Sequence, residues 1–491
     1  MTDTPSVRFS PSETRSIVGG LMLIILLGAL DQTIVSVSLP QMTKDLGGVS
    51  MLAWVVAGYL VAATVATPLY GKLGDLYGRR QLLTIAVAIF LIASVGCAMA
   101  QSMPILILAR ILQGIGGGGL ISTAQAIVGD VVPLRERGRY QGYISVVYAV
   151  ASVGGPVLGG YLTHLLSWRW VFWINLPLGA VALWAARRAL KRLPVPGLRL
   201  PIDYIGALWL TCGLSLLLVA ITRVGQGTPL LASQTLWLIA AALLLLAIFI
   251  RHEHRTVEPL MPPALFRIRT VWTSCAILFV SFFQVVALSV LVPYGMQTLD
   301  GIGPDQAALQ LIAFSLAIPF GAFISGRWML HTGRYKPLQL VGTGLLPLAM
   351  FMLAWLGPHA ALATSVALAG AGIATGMTLP TSLVAVQNAV PHKNIGVATA
   401  MTALFRSMGG AVGVALLSSI LFALLPADTG AALAEGAPRV AVQASATATT
   451  AFRVTLLCGA IVSLLAHCLA WMIPEKLLRS SASSEPDKGV A

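Results

Sequence analysis

Long apolar segments alternate with short polar ones along the whole chain. Most of them reach the roughly 20 residues that a helix needs to cross the hydrocarbon core of a membrane. Charged residues, prolines and glycine clusters mark their ends. The pattern predicts an all-α polytopic membrane protein with 14 spans, at residues 16–40, 51–70, 82–101, 104–129, 139–163, 169–187, 203–221, 234–250, 271–295, 305–328, 338–356, 361–386, 397–425 and 450–473.

Composition agrees with this pattern and excludes other classes of protein. Of the 491 residues, 57% are hydrophobic and only 10% are charged, and the mean hydropathy is +0.86. A soluble globular protein carries about 25% charged residues. A soluble enzyme and a disordered chain are therefore excluded, and little of the chain remains for a soluble domain.

The basic residues indicate how the chain is oriented. Lys and Arg number 31 against 17 Asp and Glu, which gives a net charge of +14. With the N-terminus in the cytoplasm, most of these basic residues fall in the predicted inner segments, as the positive-inside rule requires. We therefore expect a multi-pass protein of the bacterial inner (plasma) membrane with both termini in the cytoplasm. Because topology explains the charge, we expect the lipid bilayer and no nucleic acid as a partner.

Two polar segments divide the series of spans. The segments 187–201 and 251–269 are basic or charged and contain proline, and the two spans between them are poor in polar residues. These two spans resemble an insertion between two halves of six spans each. The predicted division is a cytoplasmic N-terminus (1–15), an N-terminal six-helix bundle (16–187), a linker with two extra spans (188–270), a C-terminal six-helix bundle (271–473) and a cytoplasmic tail (474–491).

A short charged loop follows the second span. Residues 71–80 read GKLGDLYGRR, and a weaker copy at residues 326–336 has Leu330 in place of Asp75. Internal symmetry of this kind is frequent in transporters. We expect carboxylate–guanidinium contacts of the first loop to hold the two halves together at the inner face, although anchoring by the positive-inside rule alone also fits Lys72 and Arg80. The residues assigned to this latch are Gly71, Asp75, Gly78, Arg79 and Arg80.

The motifs and their order resemble the major facilitator superfamily, in particular its drug:proton antiporter branch with 14 spans. Besides residues 71–80, the motifs that carry the resemblance lie at residues 30–40, 110–119, 154–160, 170–179 and 396–413. The resemblance implies the major facilitator fold, with two six-helix bundles plus two additional central spans. It also implies proton antiport, for which the branch motif of the fifth span supplies Gly155, Pro156, Gly159 and Gly160. A periplasmic adaptor protein is compatible with the family, although the sequence carries no signature of one.

Asp31 is the one acidic residue that falls well inside a predicted span. A charged residue at mid-bilayer costs about 2.5–3.5 kcal/mol on insertion scales, so Asp31 should be protonated there or face a wet cavity or a cation. Arg110 is its natural partner because a guanidinium keeps its charge, and the resemblance implies the same pairing. Gln113, one turn further on, could relay hydrogen bonds. Two structural alternatives stay open. Asp31 could only form hydrogen bonds to polar groups of a neighbouring helix, and Arg110 could only donate hydrogen bonds to backbone carbonyls.

Aromatic and amide side chains within the spans are candidates for a substrate cavity. For each of them a packed or lipid-facing position is the alternative. Arg406 could hold an anionic substrate or bond backbone carbonyls, and the sequence slightly favours the second interpretation. The candidate cavity residues are Trp54, Tyr59, Tyr148, Phe283, Gln284, Tyr294, Gln297, Gln387 and Arg406.

The sequence contains no Walker motif, no metal-spaced His/Cys cluster and no nucleophile triad. We therefore expect no enzymatic activity, no cofactor and no metal, and an ion gradient as the energy source. The expected function is a proton-coupled antiporter that exports lipophilic small molecules by alternating access, acting as a monomer. The alternatives are an exporter of one specific metabolite, an uptake symporter on the same fold and a non-transporting membrane receptor.

Overall fold

The computed structural model of the chain describes residues 10–48, 51–190, 203–225, 228–256, 258–299, 304–356, 361–424 and 446–478. Within these ranges the chain forms helices and turns, with no strand. Among the described residues, 14 helices are long and apolar enough to cross a membrane, and each predicted span falls on one of them. The predicted all-α polytopic fold is confirmed.

The helices are named here in chain order. The sixth span, Trp170–Arg188, consists of two helices that meet at Ile174, and α10 is a short helix before the ninth span. The helices are α1 Pro11–Leu46, α2 Leu52–Tyr77, α3 Arg79–Ala98, α4 Met103–Val131, α5 Leu134–Leu165, α6 Trp170–Trp173, α7 Asn175–Ala189, α8 Tyr204–Gly225, α9 Ser233–Glu253, α10 Pro263–Arg267, α11 Arg269–Leu299, α12 Pro304–Thr332, α13 Lys336–Leu356, α14 Ala361–Ala389, α15 Ile395–Leu424 and α16 Ala446–Trp471.

The first helix is longer than its predicted span of 16–40. Its start is fixed by a capping box, in which the Ser10 hydroxyl accepts from the Glu13 N–H at 3.2 Å and the Glu13 carboxylate accepts from the Ser10 N–H at 2.9 Å. Pro40 lies inside the helix, and the helix ends at Gly47, whose φ of +68° favours glycine. The capping signal at Ser10 is polar, so hydropathy alone places the start too late.

The two groups of six spans use the same helix contacts. In the first group, α1 packs on α5, and α4 packs on α2 and α3. In the second group, α11 packs on α15, and α14 packs on α12 and α13. The repeat predicted from the loop motif therefore extends to the packing of whole helices. The exact predicted domain boundaries stay predictions, and residues 1–9, 191–202 and 479–491 lie outside the described residues.

Glycines bring α1 and α5 into close contact. A methyl group at Gly155 would lie 2.7 Å from the Cβ of Thr33, and one at Gly159 would lie 2.6 Å from the carbonyl oxygen of Ile34. The Thr33 hydroxyl also donates to the carbonyl of Ala151 at 2.8 Å. In the second bundle, Gly409 and Gly413 of α15 make the equivalent approach to the backbone of α11. Neither contact leaves room for a side chain.

The two extra spans lie at the junction of the bundles. The helix α8 packs on α9, on α2 of the first bundle and on α15 of the second. The segment that follows α9 places Leu260 and Met261 in one hydrophobic core with Val271 and Ile395, and the Lys72 ammonium pairs with the Glu258 carboxylate at 2.9 Å. The inserted pair is therefore packed against both bundles.

We expect Gly155→Ala to destabilise the protein, because the added methyl group forces α1 away from α5. Overpacking of this kind costs about 1–3 kcal/mol, so the thermal unfolding midpoint of the purified protein should fall, as differential scanning fluorimetry would show. Gly154→Ala is the matched control, since a methyl group there meets no atom within 4 Å. Equal midpoints for the two variants would contradict the close packing of α1 on α5.

Candidate functional site

A buried ion pair lies inside the first bundle, between α1 and α4. The Arg110 Nη1 atom donates to the Asp31 Oδ2 atom at 2.6 Å. Asp31 is 0% exposed and Arg110 is 1% exposed, so neither side chain reaches solvent. Charges that are buried in this way need both a partner and further hydrogen bonds to offset their lost hydration.

Amide side chains supply those further hydrogen bonds. The Gln113 Nε2 atom donates to the Asp31 Oδ1 atom at 2.8 Å and to the Ser94 hydroxyl at 2.8 Å. The Asn175 Nδ2 atom donates to the same Asp31 Oδ1 atom at 2.8 Å. Asp31 therefore accepts from three side chains, and we call Asp31, Ser94, Arg110, Gln113 and Asn175 the Asp31 cluster.

Arg110 keeps partners that do not depend on Asp31. Its Nε atom donates to the carbonyl of Val55 at 3.2 Å, and its Nη1 atom donates to the Gln113 Oε1 atom at 2.7 Å. The guanidinium carbon lies 4.3 Å from the centre of the Tyr59 ring and 5.8 Å from that of Phe172, within the range of cation–π attraction. The site can therefore hold the Arg110 charge even if Asp31 takes up a proton.

Sequence reasoning missed two members of the Asp31 cluster, Ser94 and Asn175, and of these Asn175 is the one that bonds the carboxylate. It begins α7 directly after the interruption at Ile174, and Pro177 in the first turn of α7 is tolerated because the first N–H groups of a helix have no partner within it. Asn175 is 0% exposed, and its Oδ1 atom has no hydrogen-bond partner among the described residues. The signal that could have identified Asn175 is a polar amide side chain inside the apolar span 169–187.

The loop motif contributes a carboxylate that joins the two bundles. Asp75 accepts from the backbone N–H groups of Gly396 at 3.2 Å and Val397 at 3.0 Å, in the first turn of α15. The N-terminus of a helix carries unpaired N–H groups and partial positive charge, so a carboxylate is favourable there. Asp75 is thus a helix cap that the first bundle supplies to the second.

The two arginines of the motif do not reach across the junction. Arg79 pairs with Asp75 at 2.9 Å and with Asp130 at 3.0 Å, both in the first bundle. Arg80 forms no ion pair with any described residue. The expected carboxylate–guanidinium contact between the halves is therefore replaced by a carboxylate–backbone contact, because α15 begins beside Asp75.

The glycines of the motif shape the same region. A methyl group at Gly71 would lie 2.5 Å from the Ala400 Cβ atom, so α2 and α15 cross without an intervening side chain. Gly78 has a φ of +92° and forms the turn between α2 and α3. A residue with a side chain would be strained at that φ.

A second crossing joins the bundles at the same end of the molecule. A methyl group at Gly138 of α5 would lie 2.8 Å from the Cα atom of Gly326 of α12. The Arg137 Nη1 atom donates to the Gln387 Oε1 atom at 3.0 Å. We call this end, which contains Gly78, the Gly78 end. At the opposite end, which contains Trp168, no hydrogen bond or ion pair between described residues joins the two bundles.

The predicted cavity side chains do not gather in one place. Tyr59 lies on the Arg110 guanidinium, and Gln387 lies at the Gly78 end. Phe283 and Tyr294 belong to a hydrophobic core that α11 forms with α15 and α16. Their roles in substrate binding stay predictions.

The other candidates occupy three kinds of position. Gln284 is 0% exposed, and its amide has no hydrogen-bond partner in the described part of the chain. Trp54 and Gln297 are half-buried. Arg406 and Tyr148 come from different bundles, and the Tyr148 hydroxyl interacts with the Arg406 guanidinium. Within the described ranges, no group of three or more His, Cys, Asp or Glu side chains could hold a metal ion.

Comparison with known proteins identifies the family. The profile described as Major Facilitator Superfamily matches residues 21–414. The chain belongs to the major facilitator superfamily. Members of this family are transporters, and the 14 long apolar helices agree with a multi-pass membrane protein.

Two relatives illustrate the similarity. The chain is 34% identical over 433 residues to the uncharacterized MFS-type transporter Rv1877 of Mycobacterium tuberculosis, an alignment that covers 87% of this chain and 62% of the relative. The chain thus spans less than two thirds of that relative's length. It is 32% identical over 412 residues to the multidrug transporter protein MdtP of Bacillus subtilis, covering 84% of this chain and 76% of MdtP.

A solved structure shows the same fold. The human organic anion transporter MFSD10 (TETRAN) superimposes with a TM-score of 0.67 over 94% of this chain and 100% of that chain. The sequences are 17% identical, so the likeness is one of fold alone.

Asn175→Ala should destabilise the protein by about 1–3 kcal/mol, because the buried Asp31 carboxylate then lacks one donor. Denaturant unfolding of the purified protein measures this cost. In an Asp31→Asn background the same substitution should cost less, since the amide no longer faces a charge. An equal cost in both backgrounds would show that Asn175 does not act on Asp31.

Asp75→Asn should loosen the first turn of α15, because a charged cap near a helix N-terminus contributes about 0.3–1 kcal/mol. Backbone amides of Gly396 and Val397 should then exchange with solvent about two- to fivefold faster, a difference that hydrogen–deuterium exchange mass spectrometry resolves. Arg80→Gln is the control, because Arg80 has no ion-pair partner there, and should leave this exchange unchanged. Unaltered exchange in Asp75→Asn would argue against the cap.

Proposed function

We propose that the chain is a proton-coupled antiporter that exports lipophilic small molecules by alternating access. The observation that carries the proposal is the complete burial of Asp31 against Arg110, with further amide donors to the carboxylate from α4 and α7. An ionisable group inside a spanning bundle is expensive, and such groups are characteristic of ion and proton pathways. Asp31 is therefore the proposed proton carrier.

The surroundings of the pair support two charge states. With Asp31 ionised, the pair is neutral and the carboxylate is fully hydrogen-bonded. With Asp31 protonated, Arg110 retains the Val55 carbonyl, the Gln113 amide oxygen and the Tyr59 ring. A group that cycles between protonated and ionised forms needs an environment that tolerates both, and the Asp31 cluster provides one.

The packing of α1 supports coupling between that proton and a movement of the bundles. Asp31 lies half a turn before Thr33, whose hydroxyl bonds the backbone of α5, and Gly155 and Gly159 press α5 onto the same face of α1. The helix α5 in turn crosses α12 of the other bundle at Gly138. A contiguous series of contacts therefore leads from the acid to the junction of the bundles, as a coupling route requires.

The closed Gly78 end supports an assignment of the conformation. Polar contacts join the bundles at that end, through Asp75 and Arg137. The positive-inside rule places this end in the cytoplasm, so we propose that the structure is the outward-facing state, in an inner or plasma membrane with cytoplasmic termini. All members of the Asp31 cluster belong to one bundle of one chain, and the proposal requires neither a cofactor nor a second subunit.

The relatives support the substrate range of the proposal. MdtP is named a multidrug transporter, and Multidrug resistance protein 3 of Bacillus subtilis matches at 31% identity over 413 residues. We propose a similar range of lipophilic compounds for this chain. A proton that moves inward across the membrane supplies about 2.3 kcal/mol per 100 mV of membrane potential, which drives export without nucleotide hydrolysis.

We expect Asp31→Asn to abolish proton-driven export while leaving the protein folded, because an amide cannot exchange the proton. A growth-protection screen of cells against chemically diverse toxic lipophiles would identify a compound for the assay. Its movement is then followed in proteoliposomes with an imposed pH gradient. Glu475→Gln is the control, since that carboxylate is exposed at the surface, and it should transport normally. Gradient-driven export by Asp31→Asn at the wild-type rate would overturn the proposal.

A further inference from the structure

Arg406 lies at the junction of the two bundles, and no carboxylate of the described residues pairs with its guanidinium. It lies within α15, and it lines a small cavity with Gln125 of α4 and the apolar side chains of Leu278, Leu379 and Leu383. Resting on the proposed export function, we infer that Arg406 binds the anionic group of the exported compound. The substrate class is then lipophilic organic anions.

The charge of Arg406 is not compensated by the described part of the chain. No described carboxylate lies within ion-pair distance of it, and its guanidinium donates to no described backbone carbonyl. Arg453 shows the contrast, because its guanidinium donates to the carbonyls of Ala354 and Trp355. The sequence slightly favoured such carbonyl contacts for Arg406, and the structure does not form them.

Arg406 is half-buried, and a charge that is partly withdrawn from water is stabilised by pairing or hydrogen bonds, which its neighbours supply only in part. The centre of the Phe282 ring lies 5.5 Å from the guanidinium carbon, and the Tyr148 hydroxyl interacts with the guanidinium. An aromatic face and a phenol leave the positive charge in place. A carboxylate, sulfonate or phenolate would complete the pairing with the charge-assisted hydrogen bonds for which a guanidinium is suited.

The remaining surroundings specify the rest of the ligand. Leu278, Leu379 and Leu383 form an apolar wall beside Arg406, which favours a hydrocarbon or aromatic body attached to the anionic group. The Gln125 amide lines the same cavity and supplies a further polar group there. The guanidinium and the apolar wall therefore match the two parts of an amphiphilic anion, and the bundles must separate to admit it because the cavity has a volume of only about 10 Å³.

A cationic ligand finds no equivalent partner. The acidic residue inside the membrane, Asp31, is fully buried and is bound to Arg110 within the first bundle. Asp75 and Asp130 lie at the Gly78 end and pair with Arg79. Among the described residues that line the cavity beside Leu278, Leu379 and Leu383, the charge is therefore positive.

The position of Arg406 also connects the ligand to the movement of the bundles. Tyr148 and Gln125 belong to the first bundle, whereas Arg406 belongs to the second. An anion held by all three would bridge the halves at their junction. Outward movement of an anion and inward movement of a proton are both favoured by an inside-negative potential.

The test compares two probes with the same pyrene body, 1-pyrenebutyrate, which ends in a carboxylate, and 1-pyrenebutanol, which ends in a neutral hydroxyl. Binding to the purified full-length protein in lipid nanodiscs is measured by equilibrium dialysis without a proton gradient, and binding to empty nanodiscs is subtracted. The wild type should bind the carboxylate at least about tenfold more tightly than the alcohol. Arg406→Gln should remove most of this preference without changing the affinity for the alcohol, and Arg406→Lys should retain part of it.

Two further variants make the result specific. Tyr148→Phe should reduce the preference about two- to fourfold, and Arg453→Gln should leave it intact because Arg453 bonds backbone carbonyls near the Trp168 end. Equal binding of the two probes by the wild type, an equal loss of both in Arg406→Gln, or no saturable binding of the carboxylate would overturn the inference. Asp31→Asn should keep the preference for the carboxylate. The proposal of an anion site at Arg406 is therefore tested independently of the proposal of proton coupling through Asp31.

Discussion

The burial of one carboxylate against one guanidinium constrains the first bundle more than any other contact. Removing one partner of a buried ion pair costs about 3–5 kcal/mol when the other charge is left without partners, so Asp31 and Arg110 together favour a closely packed first bundle. The donors to the carboxylate come from α4 and α7, and Ser94 of α3 accepts from the same amides. The helices around the proposed proton carrier are therefore the ones held together most firmly. We expect relative movement to occur at the contacts between the two bundles.

Those contacts between bundles are of a different kind. At the Gly78 end they consist of glycine crossings and of hydrogen bonds to backbone or amide groups, with no described ion pair between two side chains of opposite bundles. Each such bond contributes about 0.5–1.5 kcal/mol, and a few of them can be broken together in each transport cycle. The first bundle is thus held by a buried ion pair, whereas the two bundles are held to each other by weaker hydrogen bonds that can break and form again.

The sequence could predict the fold because both of its signals are local. Hydropathy locates the spans, and a charged loop with a weaker copy indicates the repeat. Asp31, Arg110 and Gln113 could be singled out because polar residues are rare inside such spans. The cap that Asp75 provides to α15 could not be predicted, since it joins residues more than 300 positions apart and uses backbone N–H groups that have no signature in a sequence. The contact between Tyr59 and Arg110 could not be predicted either, because the sequence does not distinguish an aromatic side chain that faces a ligand from one that packs on a guanidinium.

Arg110 and Arg406 show why the surroundings of a charge decide its use. Both lie on spanning helices and both face aromatic rings, at 4.3 Å for Tyr59 and 5.5 Å for Phe282. Arg110 is matched by a carboxylate, a backbone carbonyl and an amide oxygen, so its charge is balanced by the protein and serves to hold Asp31. Arg406 has no such set among the described residues, and its charge is available to a molecule from outside. Under the proposed proton-coupled export, the two sites lie in different bundles, so the proton and the cargo would act on the same movement without competing for one residue.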